Sequence, residues 1–95
     1  MEDRFKNRTQ FYISVRSEEK RAKVLDFLES EGFSYKGAWN RETVLESFLP
    51  ILIEMDDKTI SDMGNVTCAA CAASAKLIMT AEQFYELYAE LQSAH

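Results

Sequence analysis

Ninety-five residues, 46% hydrophobic, 12% aromatic and 28% charged, with one proline and three glycines, describe one small globular domain with no room for a second core. The formal net charge of −5 argues against a direct nucleic-acid binder, which needs a basic surface to meet phosphates. No run approaches the roughly 20 apolar residues that span a bilayer, and the opening MEDRFKNRTQ lacks the apolar centre of a secretory leader, so a cytoplasmic protein is expected.

Residues 1–8 are polar and charged and are expected to be flexible, leaving 9–95 as the domain. From Thr9 to Arg16 the chain alternates: Phe11, Ile13 and Val15 point one way and Tyr12, Ser14 and Arg16 the other, the pattern of a strand with one buried face. Ser17 follows as an N-cap, with Glu18 and Glu19 in the first turn, where the helix dipole favours carboxylates. Ala22, Val24, Leu25, Phe27 and Leu28 form the apolar stripe of this helix. Lys20, Arg21, Lys23, Asp26 and Glu29 are assigned to its solvated face, and Gly32 stops it.

Phe33–Trp39 alternates again and reads as a second strand or a strand-like loop. Asn40 can cap a short helix over Arg41–Phe48, ended by Pro50, although the same apolar residues also fit an irregular loop. Ile51–Met55 is a strand, Asp56-Asp57-Lys58 a polar turn and Thr59–Met63 the return strand of a hairpin. Gly64-Asn65 breaks the pattern. Val66–Ala75, VTCAACAASA, favours a short helix capped by Asn65, with a small-residue loop as the alternative. Leu77–Met79 suits a last short strand. Thr80 and Gln83 then make a capping box for a helix whose stripe is Phe84, Leu87, Tyr88 and Leu91. The sum is an α+β domain: three or four mostly antiparallel strands with two main helices packed on one face.

No acid, base or nucleophile is convincingly paired in the sequence, so no enzyme is expected. His95, the one histidine, is terminal. Cys68 and Cys71 form a CxxC pair, for which redox chemistry or a zinc ion shared between chains competes with a role as small buried residues in an alanine-rich packing segment. The packing role is the simpler, and no metal or cofactor is assigned. Asp56 and Asp57, with Glu54 and Asp62, make an acidic hairpin that could attract a hard cation if its oxygens converged.

Two surfaces are candidates for binding. Tyr35, Lys36, Trp39 and Arg41 combine rings with cations, and Arg16 and Lys20 flank the start of the first helix. Together they could hold an anionic ligand such as a nucleotide, unless the rings only finish the core. Basic residues concentrate in the first half, whereas Glu82, Glu86 and Glu90 line the last helix, an asymmetry that suits a protein meeting partners through one face or pairing with itself. A mixed solvated surface is the plainer reading. Tyr, Trp and Met beyond what a small core needs favour a homodimer.

The order strand ISV, then S-E-E, then VLDFLESEGFSY, with Glu18-Glu19, Leu28, Gly32-Phe33 and Trp39, resembles short accessory proteins of tailed bacteriophages. Thr80, Glu82 and Phe84 in LIMTAEQFYELY are similar to the terminal helix of that group. The resemblance implies an anti-defence role, either by binding a host enzyme or nuclease complex or by sequestering a signalling nucleotide.

Overall fold

The computed structural model describes residues 9–47, 49–64, 66–74 and 77–93. In chain order the elements are β1 (Gln10–Ile13), α1 (Glu18–Ser30), β2 (Ser34–Tyr35), α2 (Arg41–Glu46), β3 (Ile51–Glu54), β4 (Thr59–Asp62), α3 (Val66–Ser74), β5 (Ile78–Met79) and α4 (Ala81–Ser93). The expected flexibility of residues 1–8, the caps of α3 at Asn65 and the terminal His95 lie outside the described residues.

Local signals set the helix ends. The Ser17 hydroxyl accepts a hydrogen bond from the Lys20 amide at 3.4 Å and starts α1. Gly32, at φ +91°, lets the chain leave it. Asn40 and Thr43 exchange the two bonds of a capping box at α2, and Thr80 and Gln83 do the same at α4, at 3.1 and 2.9 Å.

The five strands form one mixed sheet in the order β2-β4-β3-β1-β5. Pairs β1–β3 and β3–β4 are antiparallel, while β1–β5 and β2–β4 are parallel. The α+β class is as expected, but the sheet is wider and more parallel than the three or four mostly antiparallel strands read from the sequence. The two edge strands fall within the segments Phe33–Trp39 and Leu77–Met79 named from the sequence, but at two residues each they are too short for an alternation to show how they pair. Backbone pairing holds them: Ser34 N–H donates to Lys58 C=O at 3.0 Å, Lys36 N–H to Ile60 C=O at 2.9 Å, and Ser14 N–H to Met79 C=O at 2.8 Å. The strand expected over Phe33–Trp39 stops early because Gly37, at φ +60°, turns the chain.

Cross-strand register sorts the sheet into two faces. On the inner face, Phe11 sits opposite Ile53, Ile13 opposite Ile51 and Met79, Ile53 opposite Ile60, and Ile51 opposite Asp62. These apolar residues pack with Val24, Leu25 and Leu28 of α1, Val44 of α2, and Phe84, Leu87 and Tyr88 of α4. Phe27 stands edge-on to Tyr85 and Tyr88, with ring centroids 5.1 and 5.4 Å away, and so locks α1 to α4. The two main helices thus share one face, as expected.

The third long helix does not join them. The crossover β1–α1–β2 passes two strands in one direction, and β4–α3–β5 passes two in the other. Crossovers of one hand that run in opposite directions must lie on opposite faces of the sheet. Accordingly α3 lies against the outer face, where Tyr12, Leu52 and Met63 meet Cys68, Cys71 and Ala72.

Arg21 corrects the sequence reading most sharply. Placed there on the solvated face of α1, it is 1% exposed. Its Nε and Nη2 donate to the Val44 carbonyl, and Nη1 donates to Val15 C=O at 2.7 Å and Leu49 C=O at 2.9 Å. Nη2 also lies 3.6 Å from Oδ2 of Asp62, itself buried at the inner end of β4. Burial lowers the guanidinium pKa and the Asp62 carboxylate opposes that shift. The Oδ1 oxygen of Asp62 accepts from Gly64 N–H at 3.0 Å, while among the described residues Oδ2 has only the ion pair.

Removing one member of such a pair strands the other. Arg21→Met is expected to cost about 3–5 kcal/mol, because a carboxylate is left buried without its counter-charge. Adding Asp62→Asn to that variant should return part of the loss. Urea denaturation followed by circular dichroism checks both, and a double variant no more stable than Arg21→Met would refute the stranded charge as the cause.

Candidate functional site

The residues proposed to hold an anion do not assemble into one site. Tyr35 lies on the inner side of β2, opposite Ile60, and its hydroxyl donates to Glu29 Oε2 at 2.7 Å. Arg41, the first residue of α2, reaches across to α1. Its Nη1 is 2.6 Å from the same Glu29 oxygen and its Nη2 is 2.7 Å from Asp26 Oδ1. Tyr35 and Arg41 are therefore brought together, but by a carboxylate that already fills the place an anion would take.

Lys36 is one residue on and faces the other side of the sheet. Its ammonium sits 2.9 and 3.0 Å from the two carboxylate oxygens of Glu54, which also accepts from Gln10 and Thr59. Trp39 is half-buried and packs against the main core. Arg16 and Lys20 are exposed at the start of α1. Lys20 and Glu29 are nine residues apart, so that end of the helix stands roughly 13 Å along the axis from the Arg41 cluster.

The acidic hairpin also separates. Glu54 pairs with Lys36 on the outer face, Asp62 is buried inward with Arg21, and Asp56 and Asp57 are exposed in the turn. Register explains it: Glu54 lies opposite Thr59, whereas Asp62 lies opposite Ile51, on the other face. These carboxylates do not converge on a cation.

In the turn Lys58 adopts φ +54°, and its ammonium donates to the Glu31 carbonyl at 3.2 Å at the end of α1 while lying 5.8 Å from the Phe33 ring centroid. The hairpin thereby caps the first helix. That link is structural.

Two surfaces remain. On α4, the buried Phe84, Leu87 and Tyr88 fix the rotation of the helix, so Glu82, Glu86 and Glu90 are presented outward at one-turn intervals. No Lys or Arg occurs between Ala81 and Ser93. The second surface is a cavity of about 450 Å³ between α3 and the outer face of the sheet, lined by Tyr12, Leu52, Met63, Cys68, Cys71, Ala72 and Leu77. The sequence reading expected the two cysteines to be buried packing residues. Both are exposed, whereas Ala72 of the same helix is buried.

The cavity was missed because its walls come from two strands, the residues next to the ends of β4 and β5, and a helix, all far apart in sequence. The signals were Tyr12 and Leu52 at outward positions of β1 and β3, and Met63 just past β4, where a solvated face would carry polar groups. No helix of the described residues is long and apolar enough to cross a membrane. No protein-family model, curated protein or solved structure matches the chain.

The Glu29 cluster makes a pH-dependent contribution. The Tyr35 hydrogen bond, followed by that from Arg41, holds the Glu29 carboxyl below its usual range. A lowered folded-state pKa means that this stabilisation is complete above the ordinary glutamate range and is lost as pH falls through the depressed value. Tyr35→Phe removes the largest cause and should move the Glu29 titration upward. NMR titration of its carboxylate carbon in both proteins reads the shift directly, and superimposable curves would contradict the assignment.

Proposed function

We propose that the chain is a non-enzymatic binding protein of the phage accessory type, which engages a basic surface of a host defence enzyme or nuclease complex stoichiometrically through α4. The observation that carries this reading is the distribution of charge after folding. Lys36, Arg41 and Arg21 are each paired internally, with Glu54, with Glu29 and Asp26, and with Asp62. The outward row Glu82, Glu86 and Glu90 sits on a helix with no basic side chain of its own.

A regular line of carboxylates on a rigid helix can follow the spacing of basic groups on a surface that normally meets phosphates. Fixed charge of this kind speeds encounter and sets orientation, and the apolar side of α4 is anchored in the core, so little ordering is lost on binding. In a homodimer two such rows would be presented. Sequestration of a nucleotide is supported less well: the ligand would have to displace Glu54 from Lys36, and Glu29 and Asp26 from Arg41.

The test is affinity capture from bacterial extract, identification of the partner, and calorimetry with the purified pair. Glu82→Lys, Glu86→Lys and Glu90→Lys combined should weaken binding by at least about tenfold, with the wild-type affinity falling as salt is raised. Equal affinity of the triple variant, or quenching of Trp39 fluorescence by micromolar nucleotide with no protein partner recovered, would overturn the reading.

A further inference from the structure

The cavity under α3 is chemically distinct from the rest of the surface. Cys68 and Cys71 are three residues apart, which puts them on one side of the helix. Both line the cavity, and they are not joined in a disulfide. The facing wall is supplied by the sheet and includes Met63, whose N–H donates to Pro50 C=O at 3.2 Å and so continues the outward series Thr59, Ser61, Met63. Two thiols and a thioether from separate elements therefore border one space, whose other walls, Tyr12, Leu52, Ala72 and Leu77, are mainly apolar.

Ligand chemistry selects among the ions such a group could hold. Calcium and magnesium require several converging oxygens, and structural zinc takes four ligands drawn from cysteine, histidine and carboxylate. Among the described residues no three His, Cys, Asp or Glu side chains come together. Thiolate and thioether sulfur are soft donors that favour copper(I) and similar ions. A d¹⁰ monovalent ion is satisfied by two or three such ligands, and its low charge suits apolar walls.

We propose that Cys68, Cys71 and Met63 form a binding site for a soft monovalent metal ion, copper(I) or silver(I), in the groove between α3 and the outer face of the sheet. Binding converts both thiols to thiolates: one Cu⁺ and two S–H groups give a bis-thiolate complex of charge −1 and release two protons, with Met63 sulfur as the third, neutral donor. No electron is transferred. The groups come into place because the second crossover sets α3 on the outer face, where β4 has just delivered Met63.

The experiment is an anaerobic titration of the fully reduced protein with copper(I) against a chromogenic copper(I) chelator, repeated with silver(I) and with zinc(II). One copper(I) per chain is expected, with a thiolate-to-metal charge-transfer band in the ultraviolet and far weaker zinc binding. Cys71→Ser, which removes a thiolate, should weaken copper(I) binding and diminish the charge-transfer band, and Met63→Leu, which removes only the neutral donor, should weaken binding by a smaller factor. Circular dichroism and urea midpoints of the variants separate ligand loss from unfolding. Wild-type affinity in Cys71→Ser or Met63→Leu, zinc bound as tightly as copper(I), or one copper(I) per two chains would overturn the three-sulfur site.

Discussion

The guanidinium of Arg21 is the constraint on which the inner layer depends. An arginine keeps its charge under any ordinary condition, so once α1 turns it inward, every N–H must find an acceptor in the interior. Three carbonyls and one carboxylate supply them: Val15 beyond β1, Val44 in α2, Leu49 before β3 and Asp62 at the end of β4. Val44 lies in the last turn of a six-residue helix, where the dipole is negative, and its carbonyl accepts from the Ser47 N–H at 3.3 Å as well as from Arg21. One side chain therefore ends α2, fixes the segment before β3 and selects the register that brings Asp62 inward. The apolar residues around it could pack in several ways, whereas these directional bonds are met in one.

The same economy of charge shapes the outside. Folding pairs three cations of the first half, Arg21, Lys36 and Arg41, with carboxylates a dozen or more positions away in sequence. The Glu29 cluster shows how close that accounting is: one carboxylate accepts from both Tyr35 and Arg41 and joins β2, α1 and α2. Surface pairs of this kind contribute little to stability individually. Their consequence is that Tyr35, Lys36 and Arg41 are already engaged, so a ligand at Lys36 or Arg41 would have to displace a carboxylate.

Topology accounts for the groove. Two crossovers running opposite ways over one sheet require helices on both faces. The inner face receives α1 and α4, with large aromatic contacts, and the outer face receives α3, built largely from alanine and cysteine. Small side chains fill little space above Leu52 and Tyr12, so an open cavity remains rather than a second core. The soft-metal chemistry proposed for it uses residues that the inner core never needed.

Periodicity and capping, which act within a few residues, were legible in the sequence. Ser17 and Gly32 bounded α1, Asn40 and Thr80 started their helices, and the inward residues of β1, β3 and α4 followed from spacings of two and of three to four. Arg21 was misplaced although it falls at i, i+3, i+4 and i+7 with Val24, Leu25 and Leu28, because a charged residue on an apolar stripe is ordinarily assigned to water. Asp62 carried the same signal, two residues after Ile60 on one side of a strand. The sequence by itself determined the elements and most of the core, since local bonds and alternating burial depend on near neighbours. Tertiary structure alone decided which cations are neutralised, which face each helix covers and which sulfurs share a cavity, because those depend on pairings between residues tens of positions apart that no local pattern encodes.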